Sequence, residues 1–222
     1  ATAESGLAQL DNGFYMELDG IADYMTTDAT VTGGDFSLSY WVNANGSYTA
    51  WQRFHPVSIR PSNNTVNQSI GYLYARAALL YPSFQGYDST DTTSSTWSAR
   101  DLDFTGAGWH HIVWTFNNTN KNIYCYVDGV VQTFTNYGGT ATTPFLIGRV
   151  GTLLTFSEIN IGTTWIPSEY FPGLIDEIAI FDYVLTEPQA LEIYDATDLD
   201  TDKCADLSSM STPPVAWYRM GD

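Results

Sequence analysis

Short runs of alternating apolar and polar residues, separated by clusters of Gly, Asn, Asp and Pro, recur along this chain. A period of two puts every second side chain on one face of a strand. Between positions 36 and 42, Phe36, Leu38, Tyr40 and Val42 share a face, and Ile112, Trp114 and Phe116 repeat the pattern. Ile123, Cys125 and Val127 form a third such face, followed by Asp128-Gly129. Asp-Gly between apolar runs marks a hairpin, because both residues enter φ > 0 readily. Ile70 to Leu80 and Leu174 to Phe181 are further candidate strands. Many short strands punctuated by turn residues predict an all-β sandwich.

One helix interrupts this pattern near the C-terminal end. Thr186-Glu187-Pro188-Gln189 has the spacing of a capping box, with Pro188 in the permissive first turn. Ala190, Leu191 and Tyr194 then supply a small apolar face. Residues 195–214 are acidic and carry Ser, Thr and Pro, which reads as a linker. Residues 215–222 turn apolar and aromatic again, as either the start of a following module or a strand docking back on the sandwich. The expected organisation is a sandwich over 1–194, a linker over 195–214 and that short final piece. A start at Ala1, without Met or an apolar leader, favours one module of a longer protein.

Composition narrows the partners. Eight basic residues face 25 acidic ones, for a formal charge of -17. Such a surface repels a phosphate backbone, so nucleic acid is excluded, and anionic membranes are disfavoured. A divalent cation, with Ca²⁺ the hard oxygen-seeking candidate, is what the charge favours. No run of about 18 apolar residues is present, so membrane insertion is not expected. Charged residues make up only 15% while aromatics reach the same 15%, which implies a surface of Thr, Ser, Asn, Gln, Gly and Tyr. That surface suits extracellular proteins meeting polar, uncharged partners such as glycans. Cys125 and Cys204 are the two cysteines, in no zinc-like spacing, and whether they pair is left open.

Four segments in order resemble the laminin-G-like jelly-roll family of the concanavalin A-like lectin/glucanase superfamily. They are Tyr15 to Tyr24 with its Asp19-Gly20 turn, Phe36 to Val42, the pair Gly108 to Val113 and Ile123 to Gly129, and Phe171 to Phe181 with Asp176-Glu177. The resemblance implies a two-sheet antiparallel jelly-roll sandwich with one short C-terminal helix. It also implies a structural Ca²⁺ joining the first and last strands, with Asp19 and Asp176 as carboxylate ligands and Asp23 as a weaker third. Asp19 capping its own turn is the competing expectation. Val215 to Asp222 is similar to the phrase that opens such units in tandem arrays of virion proteins from marine tailed bacteriophages. The resemblance thus implies a virion-associated module on a virion surface or outside a cell. Its partners would be other virion or surface proteins, and host-envelope glycans.

The superfamily also contains laminarinase-type hydrolases, whose E-x-D-x-x-E or E-x-D-x-E strand aligns a nucleophile with an acid/base. Here Glu17-Leu18-Asp19 is followed by Ile21 and Ala22, and Asp176-Glu177, being adjacent, should point to opposite faces. The chain therefore reads as non-enzymatic. His110-His111 should likewise diverge, which suits a structural role, and His55 reads as a loop residue. Asp198, Asp200 and Asp202 begin like a calcium loop, but Lys203 stands where its turn glycine belongs. For glycan recognition, Tyr72, Tyr74 and Arg76 fall on one side of a strand, and Trp51 and Arg53 alternate similarly one strand earlier. Aromatic faces with guanidinium donors are what a sugar requires; tyrosines half-buried against the sheet are the alternative.

Overall fold

The structure, a computed structural model, describes residues 6–27, 34–61, 69–76, 79–86, 95–106, 108–117, 119–120, 122–136, 141–142, 145–146, 156–164 and 169–220. Its largest sheet has eight strands, all antiparallel. The strands Phe36–Asn43, Trp109–Phe116 and Asn122–Val127 are its centre, with Pro172–Phe181 on the other side of Phe36–Asn43. Opposite lies a layer divided between two sheets. One contains Arg53–Phe54, Ser69–Arg76, Leu79–Gly86 and Ser95–Ser98; the other contains Met25–Thr27, Val57–Pro61 and Phe156–Ile161. The expected jelly-roll sandwich is thus observed, with its second layer split.

The period-two residues fill the space between the layers. Phe36, Leu38, Tyr40, Val42, Ile112, Trp114, Phe116, Ile123, Cys125 and Val127 pack on Phe54, Val57, Ile59, Leu73, Ala75, Leu80 and Phe84. Phe36 and Phe116, directly paired across strands, stack at 4.3 Å. Asp128 and Gly129 both take positive φ, at 52° and 74°, so the hairpin turn is the one the dipeptide predicts. The single candidate strand from Ile70 to Leu80 is two strands, Ser69–Arg76 and Leu79–Gly86, forming a hairpin. Gly71, at φ 68°, allows the bulge in that hairpin, and a Cβ there would lie 2.4 Å from the Trp114 indole nitrogen.

The outer face of the large sheet is also covered. Helix Glu187–Asp195 buries Ala190 and Ile193 there, and Tyr194 stacks on Trp41 at 5.7 Å. Leu191, expected on the apolar face, is exposed, although it closes over Gly129. Gln189 Oε1 accepts from the Thr186 N–H at 2.9 Å, as the cap spacing predicts.

Residues 195–214 correct the linker expectation. Ala196, Cys204, Ala205, Leu207 and Met210 are buried against the outer face, and Lys203–Ala205 pairs with Gln9–Asp11. Small apolar residues spaced among the aspartates supply the contact that composition alone conceals. The Asp198–Asp202 run is a tight turn, with Lys203 N–H returned to the Asp198 carbonyl at 3.0 Å. Ala216–Tyr218 then adds to the large sheet beside Ile178–Ile180, so of the two expectations for this piece the docking strand is observed; residues 221–222 lie outside the described residues. The two ends of the described chain meet here: Arg219 Nη2 donates to the Asp11 carbonyl at 2.7 Å. Both cysteines are free and buried, Cys125 inside the sandwich and Cys204 beneath the outer segment.

Candidate functional site

The outer face of the sheet carrying Ser69–Arg76 bears the candidate site. Leu73 and Ala75 point into the core, so Tyr72, Tyr74 and Arg76 face outward. Cross-strand register sets Tyr74 between Arg53 and Tyr81. The chain before Arg53 returns over the sheet edge, with Trp51 N–H on the Ala75 carbonyl at 2.7 Å and Ala75 N–H on the Gln52 carbonyl at 3.0 Å. Those bonds hold Trp51 at φ 69°, a conformation unusual for a bulky residue. Trp51 as a whole is 63% exposed.

The result is a pocket of about 290 Å³ lined by Trp51, Arg53, Tyr72, Tyr74, Arg76, Tyr81, Ser98 and Arg100. All five residues expected from the alternation meet in it. Their roles differ from the open row foreseen. Tyr72 and Tyr81 are buried and form the floor, Tyr74 is half-buried, and Trp51 alone is a freely exposed aromatic wall. Tyr72 is buried because Arg53 lies over its ring, 5.5 Å from the centroid, and His55 approaches from the side at 5.4 Å. Arg76 lies over Trp51 at 5.4 Å. Burial pushes the Tyr81 hydroxyl upward in pKa, against the opposing charges of Arg100 and Arg76. A second, larger cavity adjoins this one, sharing Trp51 and Arg53 and adding Gln52, Glu169 and Tyr170.

Sequence reasoning missed three lining residues, Tyr81, Ser98 and Arg100, and His55 behind the Tyr72 ring. Arg100 lies just beyond the strand Ser95–Ser98 and carries no motif. His55 is wholly buried, with Nε2 bonded to Glu169 Oε2 at 2.8 Å between the two cavities, and burial holds its pKa below the usual histidine range. Only the chain fold brings residue 169 to it.

The three aspartates assigned to calcium are not brought together. Asp19 pairs with Pro172, leaving it on the order of 13 Å along the strand from Asp176. Asp19 Oδ1 already accepts from the N–H groups of Ile21, Ala22 and Asp23, at 2.7, 3.1 and 3.3 Å, and these bonds lower its pKa. Asp23 Oδ2 in turn accepts from the Asp19 N–H at 3.2 Å. Asp176 is buried under other donors. Among the described residues no group of three or more His, Cys, Asp and Glu could hold a metal ion. The residues present do not fit the calcium site that the resemblance implied: the Asp19 turn caps itself.

Asp176 and Glu177 form a different structure. A bulge sits between Asp176 and Ala179, with Glu177 at φ 50°, so Ile175 and Ile178 both reach the core and both carboxylates face outward. The expectation that adjacent strand residues must diverge fails at this inserted residue. Asn12 Nδ2 donates to Asp176 Oδ2 at 2.8 Å and to Glu177 Oε1 at 2.9 Å. Trp217 Nε1 donates to Glu177 Oε2 at 2.6 Å, the Met220 N–H reaches Asp176 Oδ1 at 3.3 Å, and Arg219 Nε lies 3.6 Å from Glu177. Burial raises the pKa of Asp176 to about 6; burial and then the charge of Asp176 raise that of Glu177 to about 7. The pair is covered by both chain ends and fastens them. His110 and His111 diverge as expected. His110 bonds Asp128 at 2.7 Å, while His111 is buried against Ser39 at 2.8 Å with its pKa lowered to about 3 by burial.

Two antiparallel layers with a ligand-sized pocket on an outer face describe a lectin-like sandwich. The chain belongs to the concanavalin A-like lectin/glucanases superfamily, whose laminin-G-like family matches residues 19–190. Among solved structures it is similar to a native heptameric SAP-like pentraxin from Limulus polyphemus, at 11% identity and TM-score 0.58, covering 99% of this chain and 94% of that one. It is also similar to the botulinum neurotoxin serotype G binding domain, at 12% identity and TM-score 0.53, covering 87% of this chain and 47% of that one. A third is the botulinum neurotoxin serotype D ligand binding domain in complex with N-acetylneuraminic acid, at 13% identity and TM-score 0.54, covering 87% and 47%. These likenesses are of fold. No curated protein matches the sequence.

Proposed function

We propose that the chain is a non-enzymatic glycan-binding module whose site is the Trp51–Arg53–Tyr72–Tyr74–Arg76 pocket. The observation that carries this reading is the meeting, from three separate chain segments, of an exposed indole wall with stacked guanidiniums over a tyrosine floor. An indole face takes the C–H face of a sugar, and Arg and Tyr hydrogen-bond its hydroxyls. The kinship with pentraxin and toxin binding domains supports a binding role. A virion-surface or cell-surface setting agrees with the scarcity of charge on the chain and with the likeness of its final segment to virion modules. Mass spectrometry of purified virions tests that setting.

The binding proposal is tested on a glycan array with wild type and Trp51→Ala. Wild type should bind a defined subset, and the variant should lose roughly tenfold or more in affinity with an unchanged melting temperature. Binding that survives unaltered in the variant would place the site elsewhere.

A further inference from the structure

The pocket gathers cations on a chain that has almost none to spare. Three of the eight basic residues, Arg53, Arg76 and Arg100, line it, and no Asp or Glu does, although 25 are available. None of the three arginines forms an ion pair with a carboxylate among the described residues. Arg100 Nε is buried without a hydrogen-bond partner. A buried N–H without an acceptor is costly, and in a pocket wall a ligand oxygen is one group that can satisfy it. Arg53 and Arg76 lay a face on Tyr72 and Trp51, and Arg76 also hydrogen-bonds Tyr81, so the ligand would share the remaining in-plane N–H donors of the two guanidiniums. Planar forks of this kind match a carboxylate two bonds at a time.

Resting on the glycan-binding reading, we infer that the ligand is an acidic sugar, with a ring carboxylate received by Arg100 and Arg76 while its apolar face lies on Trp51. The cavity of about 290 Å³ suits a single sugar residue and its substituent rather than a chain threaded through it. The formal charge of -17 does not forbid this. At physiological ionic strength charges beyond about 8 Å are largely screened, so the nearby arginines set the field inside the pocket.

Matched pairs of glycans decide the matter. Sialyllactose is compared with lactose, and a glucuronic acid-terminated oligosaccharide with its carboxyl-reduced counterpart, by titration at about 150 mM NaCl. The acidic member should bind at least tenfold more tightly in one pair. Arg100→Gln should remove that preference, and Arg76→Gln, at an exposed position, should weaken it. Equal binding of acidic and neutral members overturns the acidic-sugar inference and leaves glycan binding standing. A preference that persists in both variants overturns it too. Failure of all four glycans, together with a blank array, removes the glycan reading itself.

Discussion

Asp176 holds its proton to a higher pH than an ordinary aspartate because it is buried beside a second carboxyl group. A raised carboxyl pKa contributes stability that is complete below about pH 4 and is lost as the pH rises through about 6 to 7. His111 and His55 work the other way: both are depressed by burial, so their contribution is lost as pH falls below the unfolded histidine range. The wild-type profile is therefore a compromise, and a difference between two proteins is the clean readout. Relative to wild type, Asp176→Asn should gain stability between pH 4 and pH 7, on the order of 1–3 kcal/mol in urea midpoints. A constant difference across that range would show that Asp176 is not titrating inside the fold. A polar pair interrupting the apolar run from Leu174 to Phe181 was visible in the sequence. Period two alone assigned it to opposite faces, and only the unusual φ of Glu177 reverses that. Tyr72 shows the same limit: its face was legible, but its burial depends on Arg53 and His55 arriving from a different strand.

At the scale of elements, the strand Ala216–Tyr218 does more than lengthen the sheet. It brings the Trp217 donor to Glu177 and lies beneath Arg219, 5.3 Å above the indole. Removing residues 215–222 should thus cost roughly 3–5 kcal/mol, the order expected when a large packed aromatic is lost. Trp217→Phe, which keeps the ring packing but deletes the donor to a buried carboxyl group, should cost about 1–3 kcal/mol. A truncated protein melting with wild type would mean that the strand contributes nothing to this sandwich. Elements with two-sided signals were readable in advance: the strands around Tyr40, Trp114 and Cys125, the Asp128-Gly129 turn and the capped helix all keep local chemistry and tertiary role in agreement. Residues 195–214 were not, because their aspartates dominate the composition while five spaced residues make the contact.

The whole molecule folds against its own charge. With -17 distributed over 222 residues, self-repulsion opposes the compact state. Raising NaCl from about 10 mM to about 150 mM shortens the screening length from roughly 30 to 8 Å. The melting temperature should rise accordingly, by about 2–4 °C for each kcal/mol of repulsion relieved. A scan in which added salt lowers it would show that specific ion pairs, such as Lys203 with Asp11, outweigh the net charge.

The meeting of the two chain ends on the outer face of the large sheet also has a mechanical meaning. Were the molecule stretched between Leu7 and Met220, the load would fall first on the Gln9–Asp11 and Lys203–Ala205 pair, on Arg219 and on the Asn12 amide. The pocket lies on the other layer, across the packed interior from those contacts. A tether pulled taut at one face would yield there while the arginines and the indole kept their places on the opposite one.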